Sequence, residues 1–439
     1  MKKNYFALLF ALCSFLSFSQ TFNDFNNGAA DGGLWSTAAN WTLGVPQATH
    51  TIRTANGATS FVDANFTISR LQNQSSSAGD RIVNSSNGGI LTIDPNTATL
   101  GNAIAIQNVS SSAVKFGLRG KINIQNSAGA SAFSRITNAN NIDNFIEFEN
   151  TSVLTLTTPL EVFKATGTTA SNKFNFNGKI EGSGNLRLAA NAIATFGNSV
   201  SNSGYTGELV LLANSSLIVN TADDVIFYDG LKIQVNGDNA STTLNGANVF
   251  ASGLVIGGTN TFTFNVNKNQ SSMTNIIFQG DGTINMVVDN SVTNLTFANN
   301  SASSWSAGAK LNITGFQEGV IRFGTDNTGL TATQLAQIFV NGGSTPVALD
   351  ANGYLVFQSS LSTNDFELDK NKRISYPTLA TSKLDFNKPQ DNVKVFDLTG
   401  KMILENKSKN QTEISINTLK QGLYLIVFDN KKVEKFIKQ

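Results

Sequence analysis

Between about Thr21 and Asn364, apolar and polar residues alternate in short runs that recur along the chain. Thr261–Val266 puts Phe262, Phe264 and Val266 on one face, and Thr283–Val288 does the same with Ile284, Met286 and Val288. Leu154 with Leu156, and Phe174 with Phe176, follow the same spacing. Successive side chains of a strand point to opposite faces, so a period of two with one apolar face predicts half-buried strands. Asn-Gly and Ser-Gly turns break the runs. No strong helical pattern lies between them, which argues against a doubly wound α/β fold.

Two all-β architectures fit this pattern. One is a β-solenoid, in which each coil stacks its apolar positions on the last. The other is a series of β-sandwiches. The lack of a clear internal linker favours the solenoid. So do the Asn-rich turns, because Asn tolerates left-handed backbone and can ladder from coil to coil. At roughly 20–25 residues per coil, the region would hold on the order of 15 coils.

The pattern changes near Phe366, where lysine becomes dense. Val393–Asp397 leads into the turn Leu398–Lys401; Ile414–Ile416 and Leu423–Val427 read as further strands, with a turn at Gln421-Gly422. These alternations predict a small β-sandwich. The expected organisation is a leader over 1–19, a solenoid over 20–364 and a C-terminal module over 365–439.

Composition narrows the chemistry. Only 14% of residues are charged, against roughly 25% in ordinary domains. The polar surface must then come from Asn, Ser, Thr and Gly. The net charge of +1 gives no footprint for nucleic acid. Lys2 and Lys3 precede an apolar run from Phe6 to Phe18, with small residues at Ser17 and Ser19. That is a signal peptide, with cleavage expected between Ser19 and Gln20. No later stretch reads as a transmembrane span. The single cysteine, Cys13, falls in the leader, so the mature chain has no thiol chemistry. The single histidine, His50, sits in a polar turn-like stretch and is expected at the surface.

Among charged residues, Glu147 and Glu149 flank Phe148 and would both point outward. Lys115, Arg119 and Lys121 alternate about one coil earlier and would lie beside them. A carboxylate pair next to a base has the ingredients of a polysaccharide lyase or glycoside hydrolase. No signature accompanies these charges, and the expected reading is a solvated strand face with ion pairs between coils. Asp223, Asp224 and Asp229 fit no calcium loop and read as an exposed turn. Gly182-x-Gly184 lacks the third glycine and the helix of a phosphate loop. Neither a metal nor a cofactor is expected. Trp35, Trp41 and Trp305 read as core caps in preference to sugar-stacking platforms.

Three resemblances sharpen the picture. GLWSTAANWTLGVP, Gly33–Pro46, resembles the N-terminal motif of many exported bacterial β-helix proteins. Ile180–Val219 resembles the autotransporter-associated β-strand repeat, through Gly182, Gly184, Leu186, Tyr205-Thr206-Gly207 and Leu217. It departs at Ser216, where that repeat has glycine. Trp305–Val340 resembles the terminal segment of similar proteins, with Thr331 capping a short helix over Ala332–Gln337. The cap is expected over 305–358. These resemblances imply a right-handed parallel β-helix.

From Tyr376 onward the chain resembles the type A C-terminal sorting domain of the type IX secretion system. Tyr376-Pro377, the strand and turn carrying Asp397, Gly400 and Lys401, the segment with Leu419, Gly422 and Tyr424, and the closing Lys435–Lys438 occur in that family's order. Thr378-Leu379 stands where the family has Asn-Pro, which leaves the processing boundary undefined. The resemblance implies passage across the outer membrane, with the secretion machinery and its sorting peptidase as partners. The cargo would be secreted or attached to the cell surface. The expected function is adhesin-like, glycan-binding or structural, with polysaccharide as the environmental partner. The alternatives are a lyase or hydrolase on the β-helix, and a passive surface-layer element.

Overall fold

In the computed structural model, the alternating runs up to Val340 become strands that pair in parallel with a strand of the next coil. The structure describes residues 21–439 apart from 55–58, 75–78, 98–102, 111–113, 130–132, 139–143, 165–172, 198–199, 203, 231, 359–373 and 429–431. The expected leader with Cys13, the expected cleavage between Ser19 and Gln20 and the expected 364/365 boundary lie outside the described residues.

Eleven strands form one parallel sheet and fifteen form a second, while a third of three strands runs through the last coils. Consecutive coils stack like on like. Phe262, Phe264 and Val266 pair in register with Ile284, Met286 and Val288, and all six are buried. Phe148, Phe176 and Phe196 occupy one register position, and their rings stack at 5.2 and 5.1 Å. The apolar face of each strand thus becomes one continuous core along the stack.

The first sheet holds eleven strands where about 15 coils were expected. The early coils are long: Asn73 bonds Asn108, 35 residues on, whereas Asn265 bonds Thr243 at a separation of 22. Longer connections in the first coils absorb residues without adding ladder rungs.

Asparagine acts in the two ways its chemistry allows. Asn191, Asn214, Asn239 and Asn248 take positive φ at coil corners. Side-chain amides also ladder, with Asn245 donating to Asn220 and Asn267 to Asn245, each at 2.7 Å.

Aromatic and amide groups pack near both ends of the stack. Trp35 and Trp41 are buried with ring centroids 5.1 Å apart, and Trp41 donates from its indole nitrogen to the Trp35 carbonyl at 3.0 Å. Neither ring is available to a sugar. At the far end Trp305 donates to the Ile276 carbonyl at 2.9 Å. Thr331 caps a helix that ends at Leu335, two residues short of the expected Gln337, and Gln334 completes a capping box. Gln334 also donates to the carbonyls of Asn300 and Ser303 one coil back. The antiparallel pair Val347–Leu349 and Leu355–Phe357 follows the last parallel strands. Among the described residues, no helix is long and apolar enough to cross a membrane.

The second unit begins after Gln358 and has its own core. Ser375–Tyr376, Lys383–Gln390 and Gln411–Ser415 form an antiparallel three-stranded sheet. Leu379–Ala380, Val393–Phe396, Met402–Asn406, Gly422–Val427 and Val433–Lys438 form a sheet of five. The inward faces of both share one apolar cluster that includes Leu384, Val395, Ile426 and Phe436. This is the small β-sandwich that the alternation predicts.

Candidate functional site

The strand Phe145–Phe148 lies between Lys115–Ile124 and Lys173–Phe176 in the second sheet. Its register sets Glu147 beside Gly117. Glu149 follows the strand end, and its carboxylate reaches back over Gly117, where an added Cβ would stand 2.6 Å from Oε1. Lys115 Nζ sits 2.9 Å from Glu149 and 3.7 Å from Glu147, and Arg119 bonds the other oxygen of Glu149. Asn177 donates to Glu147 at 2.7 Å.

The structure therefore brings together Glu147, Glu149, Lys115 and Arg119 and leaves Lys121 out. The strand Lys115–Ile124 pairs with Phe145–Phe148 through its first half and, after Gly120 at φ +76°, with Val153–Leu156 through its second, so Lys121 lies beside Val153 and its charge bears on Glu181. The expectation of open carboxylates is also corrected for Glu149, which is only 8% exposed. Burial raises its pKa, but bonds from Arg119 and Lys115 outweigh that and hold it below the usual carboxylate range. A carboxylate kept ionised and doubly engaged is poorly suited to deliver a proton.

A second charged ladder was missed in the sequence. Arg135, Glu161 and Arg187 take one register position on three coils of the first sheet. Glu161 is 3% exposed and bonds Arg135 at 2.8 Å and Arg187 at 3.1 Å. The available signal was a charge at the centre of each triplet, Ser134–Ile136, Leu160–Val162 and Leu186–Leu188. With the coil length unknown, nothing placed the three side by side.

Other singled-out residues are structural. His50 is buried, contrary to the surface placement expected: its Nδ1 accepts from the Gln47 amide at 3.1 Å, and burial lowers its pKa. A polar neighbourhood in sequence does not reveal that the coil folds over it. Asp223 and Asp224 are exposed and bond Ala247 and Asn248 of the next coil. Among the described residues no cluster could hold a metal ion. Gly184 is a close-approach position: a Cβ there would meet the Thr158 carbonyl at 2.2 Å. Tyr205 donates to the Gly184 carbonyl at 3.0 Å, and Tyr228 repeats this on Gly207 at 2.9 Å. The landmarks of the repeat are thus contacts between coils.

The outward face of the second sheet is different in character. From Asn175 to Thr314 its central column runs Asn175, Thr195, Ile218, Thr243, Asn265, Val287, Thr314. The residues are Asn, Thr, Ile and Val, and none is charged. Beside it Ser241 bonds Ser216 at 3.1 Å and Asn312 bonds Asn285 at 2.9 Å.

In the second unit, Asp397 accepts from the Thr399 amide and hydroxyl at 2.9 and 2.6 Å and from the Lys401 amide at 3.0 Å. Gly400 completes that turn with φ +83°. Leu419 is buried, Gly422 begins a strand, and Tyr424 stacks on Phe436 while donating to the Lys420 carbonyl at 2.9 Å. Lys435 is exposed, Lys438 bonds the Gln439 carbonyl, and Pro377 is exposed after Tyr376. Residues 376–439 match the family described as the secretion system C-terminal sorting domain.

The second unit is a sorting domain. The protein is a β-solenoid sorted by type IX secretion, and it is secreted or held at the cell surface. The secretion machinery handles the sorting domain. No curated protein and no solved structure matches the chain.

Proposed function

We propose that the solenoid is a rigid extracellular scaffold that adheres to glycans through the outward face of its second sheet. One observation carries this reading: the uncharged column from Asn175 to Thr314, built of Asn, Thr, Ile and Val in unbroken parallel register. Strands in a sheet stand about 4.8 Å apart, so such a column offers donors and acceptors at a fixed repeat. Its hydroxyls and amides match sugar hydroxyls, while Ile218 and Val287 meet the apolar faces of sugar rings. Laddered side chains are already ordered, which lowers the entropic cost of binding. The export route brings the solenoid to where polysaccharide is found.

The test incubates the purified exported protein with a panel of soluble and insoluble polysaccharides. Depletion of protein and release of reducing or unsaturated ends are read in the same tubes. Depletion without release is expected. Release that is abolished by Glu147→Gln would replace this reading with a lyase or hydrolase. Absence of both signals would leave a passive surface-layer element.

A further inference from the structure

On the outward face of the second sheet, the hydrogen-bonding side chains are ordered in one direction. Beside the central column from Thr195 to Thr314, a second column runs Ser216, Ser241, Thr263, Asn285, Asn312 in the same register. A third, just past the strand ends, runs Asn220, Asn245, Asn267, Asp289. In all three, side-chain amides donate to the coil before them. Asn312 donates to Asn285 at 2.9 Å, Asn265 to Thr243 at 3.1 Å and Asn267 to Asn245 at 2.7 Å. A carboxamide carries two hydrogens, and a hydroxyl that accepts keeps its own. Each ladder therefore holds its side chains in place and still has donors to offer.

Charge and dimensions narrow what these columns can hold. The one charged residue in them is Asp289, whose carboxylate accepts from the Ser291 amide and hydroxyl at 2.8 and 2.6 Å. Lys173 and Lys310 mark the two ends of the strip. On earlier coils of the sheet, Lys115 and Arg119 are engaged by Glu149. A polyanion laid on the columns would lose water without a cation between those ends to meet its charges. The central column crosses six strands from Thr195 to Thr314. At about 4.8 Å per strand and about 7 Å between alternate residues, the strip is about 24 Å long and about 14 Å wide. Its long axis crosses the strands. Pyranoses joined through equatorial bonds form a flat, extended ribbon whose sugars recur at close to the strand interval. Pyranoses joined through an axial bond coil, and fall out of step with a straight ladder.

We infer that the glycan held on this face is an uncharged, extended chain of equatorially linked pyranoses, lying across the strands with about one sugar to each coil. The inference rests on the adhesion reading and names the class of chain that reading takes. Successive sugars meet successive rungs of the same ladders, so each added sugar adds a similar set of contacts. Discrimination comes as much from what the strip rejects as from what it binds. Acidic chains find no cation along it, and coiled chains touch only a rung or two.

The test is titration calorimetry on the purified exported protein with cellohexaose, chitohexaose, maltohexaose and hexagalacturonate. At least one of the first two is expected to bind tenfold or more tighter than either of the others. Its affinity is expected to rise with each sugar from the dimer to the hexamer. Thr195→Lys combined with Thr243→Lys sets two cations on the strip. With its thermal transition kept, this variant is expected to lose at least tenfold on the neutral hexamer and to gain binding of hexagalacturonate. Should it not fold, Thr195→Lys alone replaces it, with several-fold changes in the same directions. Maltohexaose or hexagalacturonate bound as tightly by the wild type overturns the inference and leaves adhesion standing. So does adhesion to some polysaccharide of the panel with neither extended hexamer bound. Unchanged binding of the neutral hexamer by the folded lysine variant also overturns it, because the chain would then lie elsewhere. Absence of binding to every glycan overturns the adhesion reading and the inference with it.

Discussion

At Glu434 one carboxylate of the last strand holds the start of the sorting domain. It accepts from the Ile374 amide at 2.7 Å, from the Ser375 amide at 2.9 Å and from the Ser375 hydroxyl at 2.6 Å, with Lys432 at 3.1 Å. Burial raises its pKa, but these bonds outweigh that and leave it below the ordinary value of 4.5. A depressed folded-state pKa contributes stability that is fully present above the unfolded value. That contribution is lost as pH falls through the folded value. Glu434→Gln keeps the shape and removes the charge, so it should cost about 2 kcal/mol at neutral pH. Calorimetry should show the C-terminal transition falling, with less further loss below about pH 4.5 than the wild type shows. Asp397 and Glu405 are also depressed, so the difference between the two proteins isolates Glu434. Residues of this kind were hard to read from sequence. Glu434 stands in a lysine-rich run, and only the fold brings Ile374 and Ser375 to it. His50 and Glu161 were missed for the same reason: each is buried by a neighbour tens of residues away.

At the scale of elements, the alternation was a sound guide. Phe262, Phe264 and Val266, and then Ile284, Met286 and Val288, lie in the core on the strands their spacing predicts. A period of two fixes which face is buried, but not how far apart two stacked strands lie in sequence. Coil number and the place of Lys121 therefore stayed out of reach. The first depends on the length of connections, and the second on the change of pairing partner after Gly120. The glycine–tyrosine contacts between coils are testable at Tyr228. Its hydroxyl joins the carbonyls of Gly207 and Lys232, and burial pushes its pKa up to about 12, so it stays a neutral donor. Phe250 occupies the bridged position one coil on and shows that a ring without the hydroxyl fits. Tyr228→Phe should therefore cost about 1–2 kcal/mol through the lost hydroxyl bonds. Denaturant unfolding should show that loss with the parallel-sheet circular dichroism unchanged. Gly184→Ala should cost more, about 2–3 kcal/mol, because the Thr158 carbonyl is backbone and cannot swing aside.

At the scale of the whole molecule, sorting for export falls to the second unit, and the proposed adhesion falls to the solenoid. The solenoid covers itself with uncharged polar ladders, and its buried charges brace coils: Glu149 joins two strands and Glu161 three. The sorting domain instead exposes large apolar side chains such as Leu379, Leu398 and Ile437. The measurement that bears most directly on adhesion compares the exported protein with a variant carrying Thr195→Ala, Thr243→Ala, Asn265→Ala and Thr314→Ala. All four positions lie on the central column of the second sheet. Both proteins are depleted against the polysaccharide that binds the wild type best, with their thermal transitions recorded alongside. The account predicts at least a tenfold weaker affinity in the variant with its fold intact. Equal binding by a folded variant would contradict the account, because the glycan would then be held by some other part of the protein.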